Sequence, residues 1–400
     1  MNSIFSLIAV ICLLVLAFIL STDRKKINLQ TVVMGFLLQV ILIFFVIKIP
    51  VGQFLLEKLA LSVNNLIQMG MEGVDFVFGG IAEGYVFAIN VLSLIVFTSA
   101  LISVLYFLKI IPFLVKYVGK FIARLMKTTE VETFCAVANS FLGGTEAPLV
   151  IKPYLPSTPR KIHAFITTKS ELFAVMVGGF GSASASILGG YSMMGIDIKY
   201  LLIAVFTVPF STLMISKMML PETETSKTAN AEIVGSEAET LFEAISEGTS
   251  NGLGLALNVG ASLIAFVGLI AIVNAFLGLF GVSLSTLFGY VFLPVAYLFH
   301  IPPDEAFTFA SLIGTKLSIN EFVAYGEMVD VINVLSPRTI AILSVVLCNF
   351  ANFSVIGIQV GAFASLAPER KGEVATLGIK ALICGTISTL LTGAILGIFL

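Results

Sequence analysis

The stretch "FLGGTEAPLVIKP", residues 141–153, sits inside a chain that otherwise reads as apolar helices. Two glycines, a threonine, a carboxylate and two prolines fall within it, and no membrane-crossing helix runs through such a sequence. The rest of the chain makes this placement unusual. Of 400 residues, 58% are hydrophobic and 12% charged, with a mean hydropathy of +1.05. Soluble domains are about one-quarter charged. Many of the apolar runs reach the roughly 20 residues that a helix needs to cross a hydrocarbon core. The composition therefore specifies a polytopic helical membrane protein. Glu146 lies at membrane depth in a segment that cannot be a simple span.

Eight spans are expected, over 4–21, 29–48, 84–108, 161–190, 199–218, 252–280, 338–362 and 374–399. Two amphipathic stretches, 52–78 and 109–127, suit helices lying in the interface. The acidic stretch 221–248 reads as a solvated connector that ends in an amphipathic helix. Residues 4–21 lack the basic leader and the cleavage site of a signal peptide, so a retained first span is expected. Lys and Arg concentrate in one set of loops: Arg24–Lys26, the 109–127 cluster, Arg160, Lys161, Lys217, Lys227, Arg370 and Lys371. The other set holds chiefly Lys58, Lys199 and Arg338. The positive-inside rule then puts both termini outside. A bacterial inner membrane fits the short loops. Four scattered cysteines offer neither a disulfide framework nor a zinc site. No dense basic tract suggests a nucleic-acid partner.

Segments 131–158 and 303–335 are apolar but interrupted, and each must enter and leave on one side. That describes a re-entrant hairpin, tolerated only where its tip is buried in protein or lines an aqueous cavity. The halves repeat in order: a span, an interfacial helix, a hairpin, a broken span and a final span. The first half starts outside and the second inside, which is the inverted repeat of secondary transporters. The units are 1–83 (scaffold), 84–220 (first repeat), 221–251 (connector) and 252–400 (second repeat). Each hairpin carries one carboxylate, Glu146 or Glu321. Each broken span carries small polar residues: Ser182, Ser184 and Ser186 in one, Asn349, Asn352 and Ser354 in the other. Carboxylates at this depth are functional candidates. For Glu321 the structural alternative is an ion pair with Lys316. For Glu146 it is capping of the hairpin tip.

Four motifs taken together, "GGTEAPLVIKPYL" (143–155), "SELFAVMVGGFGSASASILGGY" (170–191), "INEFVAY" (319–325) and "FANFSVIGI" (350–358), resemble the concentrative nucleoside transporter family. The likeness covers the chain from about residue 30. It implies a homotrimer of all-α protomers with eight spans, two re-entrant hairpins and interfacial helices. It also implies a nucleoside bound at the midplane. The family's base-binding tip corresponds to Gly144, Thr145 and Glu146, with glycine where the family has glutamine. Its ribose-binding residues correspond to Glu321, Asn352 and Val355, with valine where the family has serine. Phe350 matches an aromatic beside the ligand. The family's sodium site corresponds to Asn139, the Leu142 carbonyl, Ser182 and the Ala183 carbonyl. Neutral oxygens of this kind suit a hard cation, while the same residue types also serve ordinary packing of membrane helices. Na+ is the expected coupling ion and H+ the alternative, with no other cofactor. The space left by Gly144 is expected to admit a bulkier purine.

Two competing classes fit less well. An intramembrane enzyme using Glu146 and Glu321 would be expected to carry H-E-x-x-H or a D-x-x-D pair, and neither occurs. A channel needs a continuous pore, whereas two hairpins opening to opposite sides imply alternating gates. A symporter of the same fold for another small polar metabolite is the nearest alternative.

Overall fold

The computed structural model describes residues 2–79, 86–144, 146–155, 167–226, 228, 232–236 and 238–400. Every regular element among them is helical. The first helices, α1 (Asn2–Ile19) and α2 (Leu29–Lys48), occupy the first two expected spans. Helix α3 (Pro50–Phe78) begins with proline, whose missing N–H is no loss in the first turn. A π-helical turn at Ala88–Leu92 leads into α4 (Ser93–Phe107). Left-handed lysines, Lys109 and Lys127, bound α5 (Ile110–Met126).

The segment expected to interrupt itself does so. Helix α6 (Glu130–Ala138) opens on a Thr129–Glu132 capping box and stops at Asn139. A 3-10 stretch follows at Ala147–Tyr154. The expected span 161–190 is two helices, α7 (Lys169–Gly181) and α8 (Ala185–Met193). Its first six residues lie outside the described ones. Helix α9 (Ile198–Met219) completes the first half.

The connector differs from its expected form in two ways. Helix α10 (Leu241–Gly278) runs unbroken for 38 residues, so the boundary expected at 251 falls inside a helix. Two of its glycines are contact points rather than breaks. A Cβ on Gly248 would stand 2.5 Å from the Ser103 side chain, and one on Gly252 2.7 Å from that of Ser99. Both lie on the face that packs against α4. The preceding loop is also more than a solvated link. Val234 donates its amide to Val150 O (3.0 Å), Glu232 to the Tyr154 hydroxyl (2.7 Å), and the Tyr106 hydroxyl donates to Val234 O (2.5 Å).

The second half comprises α11 (Leu284–Leu298), α12 (Pro303–Ser318), α13 (Glu321–Asp330), α14 (Pro337–Leu347), α15 (Phe353–Leu366) and α16 (Lys371–Phe399). Six helical stretches are long and apolar enough to cross a membrane: Leu29–Lys48, Ala88–Phe107, Lys169–Met193, Ile198–Met219, Leu241–Gly278 and Pro368–Phe399. The regions expected to span at 4–21 and 338–362 form shorter apolar helices. The core lies around α7, α8, α9 and α16. Within its most apolar window, the α7–α8 pair is 94% buried while α10 is only 6% buried. The first broken pair, α7–α8, is therefore internal, where backbone freed from helical pairing can find protein partners.

Candidate functional site

Each break is closed by short-range polar groups. At the first, α7 ends at Gly181 and Ser182 turns extended (φ −111°, ψ 158°). Ser184 then caps α8 by accepting the Ser186 N–H (3.3 Å). At the second, Asn349 fastens the turn: its Nδ2 donates to Val346 O (2.6 Å) and its Oδ1 accepts from Ala351 N–H (3.1 Å). Asn352 caps α15, its Oδ1 accepting from Val355 N–H (3.2 Å) and the Ser354 hydroxyl (2.6 Å). One backbone bond joins the two breaks, Phe350 N–H to Ser182 O at 3.0 Å.

Glu321 stands at the first position of α13, behind its N-cap Asn320, where the helix dipole favours a negative charge. It is 3% exposed. The Tyr191 hydroxyl of α8 donates to its Oε1 (3.1 Å), and Asn352 Nδ2 lies 3.4 Å from its Oε2. Groups from both broken helices thus hold one carboxylate. Lys316 is not its ion-pair partner. The buried Lys316 ammonium donates instead to Asn349 Oδ1 at 2.8 Å and braces the second break. A lysine has three donors and no acceptor, and the Asn349 amide oxygen takes one of them without occupying the carboxylate.

The first tip is built differently. Gly143 is left-handed (φ +91°), a conformation that glycine adopts freely. Gly144 packs on Gly179 of α7 so closely that a Cβ would stand 2.6 Å from the Gly179 backbone. The room expected at Gly144 is therefore taken by a backbone-to-backbone contact and does not stand open for a larger base. Glu146 lines a cavity of about 240 Å³ together with Leu142, Ser186, Ser99, Tyr106 and Glu247. Its carboxylate has no hydrogen-bond partner among the described residues. Thr145 lies outside them.

Of the expected cation ligands, Asn139 and Ser182 come together, with Ser182 Oγ 3.5 Å from Asn139 Oδ1, both fully buried. Gly178 makes room for the amide, since a Cβ there would stand 2.5 Å from Asn139 Nδ2. The Phe141 carbonyl beside Leu142 accepts from Ala185 N–H (3.3 Å), stitching tip to break. Ala183 is buried in the break itself. Of the expected ligand residues, Glu321 and Asn352 meet, and Phe350 reaches them through its backbone. The Val355 amide is spent on the Asn352 cap. Glu146 belongs to the separate cavity on the first tip. Tyr191 was not singled out from the sequence. A tyrosine closing "ILGGY" looks like packing until its hydroxyl is seen to reach a residue 130 positions away.

Comparison with known proteins places this arrangement. Three family models tile the chain: Na+ dependent nucleoside transporter N-terminus over residues 8–81, Nucleoside recognition over 88–197, and Na+ dependent nucleoside transporter C-terminus over 200–397. An uncharacterized transporter of Haemophilus influenzae is 41% identical, covering 100% of this chain and 98% of its own. Nucleoside permease NupC of Helicobacter pylori is 37% identical, with coverage of 100% and 98%. Among solved structures, that of CNTnw in an inward-facing substrate-bound state superposes with a TM-score of 0.93, at 40% identity over 100% of this chain and 98% of that one. The chain belongs to the concentrative nucleoside transporter family and is a multi-pass helical membrane protein.

Proposed function

We propose that this protein is a secondary active symporter that imports nucleosides on a cation gradient, with Na+ favoured and H+ the alternative. The observation that carries the reading is Glu321, an internal carboxylate at a helix N-terminus, gripped by Tyr191 from one broken helix and Asn352 from the other. A carboxylate has about four acceptor sites. Two partners leave capacity for a pair of vicinal hydroxyls, which a ribose presents and a 2′-deoxyribose does not.

In this reading eight spans cross the membrane, 131–158 and 303–335 are re-entrant hairpins, and the halves form an inverted repeat. The order of helices supports it, as does the Lys/Arg distribution, which puts both termini outside a bacterial inner membrane. Glu146 with Gly144 and Thr145 meets the base, and Glu321, Asn352, Phe350 and Val355 surround the sugar. Asn139 and Ser182, with the carbonyls of Leu142 and Ala183, hold the cation. The matching family models, described as Na+ dependent nucleoside transporter, favour nucleosides and Na+, and a homotrimer follows from the family likeness.

The test is uptake of labelled uridine and adenosine into proteoliposomes under an inward Na+ gradient, an inward H+ gradient, or neither. It is repeated with Glu321→Gln. Na+-driven accumulation that Glu321→Gln abolishes is the expected result. H+-driven accumulation would keep the cargo and discard the sodium site. No accumulation of either nucleoside would leave the fold with a different small polar cargo.

A further inference from the structure

Gln359 lies on α15, seven residues beyond Asn352. Seven residues is close to two helical turns, so the two side chains leave nearly the same face about 10 Å apart along the axis. It is 1% exposed. Its Nε2 donates to the Met176 carbonyl of α7 at 3.1 Å. That bond fixes the orientation of the amide, because a carbonyl can pair only with the NH2 end. Oε1 is then buried with no hydrogen-bond partner among the described residues. Buried side-chain acceptors are nearly always paired, so this one calls for an explanation.

The position supplies one. The Cβ site of Gly179 lies 2.6 Å from Gln359 Nε2 and 3.0 Å from Gly144 Cα. The Gln359 amide therefore occupies space that any larger residue at 179 would fill, directly behind the tip that carries Glu146. The glycine backbones of 179 and 144 lie between the amide and that tip. Along the same face of α15, the other end is Asn352 with Glu321.

We infer that Gln359 is a specificity residue of the substrate site, whose Oε1 accepts a hydrogen bond from an N–H on the nucleobase edge while Glu321 and Asn352 hold the ribose. The inference rests on the nucleoside reading above. It names the class of base selected: one presenting an amino group or a ring N–H, as adenine, cytosine and uracil do. An analogue without that donor leaves Oε1 unpaired and binds more weakly.

The experiment is equilibrium binding to the purified full-length protein of three matched pairs: adenosine and purine riboside, cytidine and 2-pyrimidinone riboside, uridine and 3-methyluridine. Each is measured on the wild type, Gln359→Met and Gln359→Glu, with melting temperature recorded alongside. In every pair that binds, the wild type should favour the N–H-bearing member by about 3–10-fold, the range of one hydrogen bond. Gln359→Met should reduce that ratio several-fold, while its melting temperature and its affinity for the donor-free member hold. Gln359→Glu, protonated in this buried site, keeps a donor for the Met176 carbonyl and an acceptor for the base, so it should keep the preference, which preserves a test if the Met variant does not fold. An unchanged ratio in a folded Gln359→Met, or a lost one in a folded Gln359→Glu, would overturn the inference while the nucleoside reading stands. Binding of no nucleoside by the wild type would overturn both.

Discussion

The two polar tips solve one problem by different means. The first, at Gly143–Glu146, is shaped by what is missing: side chains are absent at Gly143, Gly144, Gly178 and Gly179, so backbones and the Asn139 amide can close up. Its carboxylate is left facing a cavity with no partner among the described residues. The second, at Lys316–Glu321, is shaped by what is present. Lys316, Asn349, Tyr191, Asn320 and Asn352 fill it with charge, amide and hydroxyl, and its carboxylate is fixed before any ligand arrives. A pre-positioned group loses less freedom on binding. The second tip should therefore set affinity, and the first should adapt.

That contrast can be broken in four ways. The largest effect is expected from Glu321→Gln. Hydrogen bonds to a charged group contribute about 1.5–3 kcal/mol, so nucleoside affinity should fall about 10–100-fold in a binding titration. Glu146→Gln should cost several-fold less, and the reverse order would sink the distinction between the tips. Next is Gly144→Ala. Its new Cβ meets the Gly179 backbone, and overpacking of this kind costs about 1–3 kcal/mol, visible as a lowered melting temperature. Gly357→Ala on α15 meets nothing within 4 Å and serves as the control, with melting unchanged or slightly raised.

Tyr191→Phe follows. Deleting one hydroxyl donor to Glu321 should raise the uptake KM about 3–10-fold for ribonucleosides, with little change for their 2′-deoxy counterparts. Equal losses for both would mean that Tyr191 supports the fold rather than the sugar site. The smallest effect on stability is expected from Ser182→Ala, whose bond to Asn139 is long at 3.5 Å. Melting should shift by less than about 0.5 kcal/mol of equivalent stability, while the Na+ concentration for half-maximal uptake rises. An unaltered Na+ dependence would remove Ser182 from the cation site.

Much of this was legible because membrane helices announce their breaks. Glycine, proline and cap residues interrupt an apolar run at Gly143, Ser184, Asn320 and Asn352, and each break falls where the sequence puts it. Local rules of capping and backbone freedom suffice there. They fail where a residue's meaning depends on a distant partner. Gly248 and Gly252 look like interruptions but are the close-packed face of one long helix against α4. Lys316 looks like the mate of a glutamate five residues on, but its partner is Asn349 in the break between α14 and α15. Tyr191 and Gln359 carry no local signal at all, because their partners lie 130 and 183 positions away.

The single bond from Phe350 N–H to Ser182 O has a mechanical meaning. Two discontinuous rods, one from each half, are pinned where each is weakest. A pin of about 0.5–1.5 kcal/mol at the joint biases the two rods to travel together. Any stroke that carries the polar centre across the membrane must then move both as one carriage, or begin by pulling the pin. Because both of its ends are main chain, proline at 350, which lacks the N–H, is the substitution that deletes this pin directly.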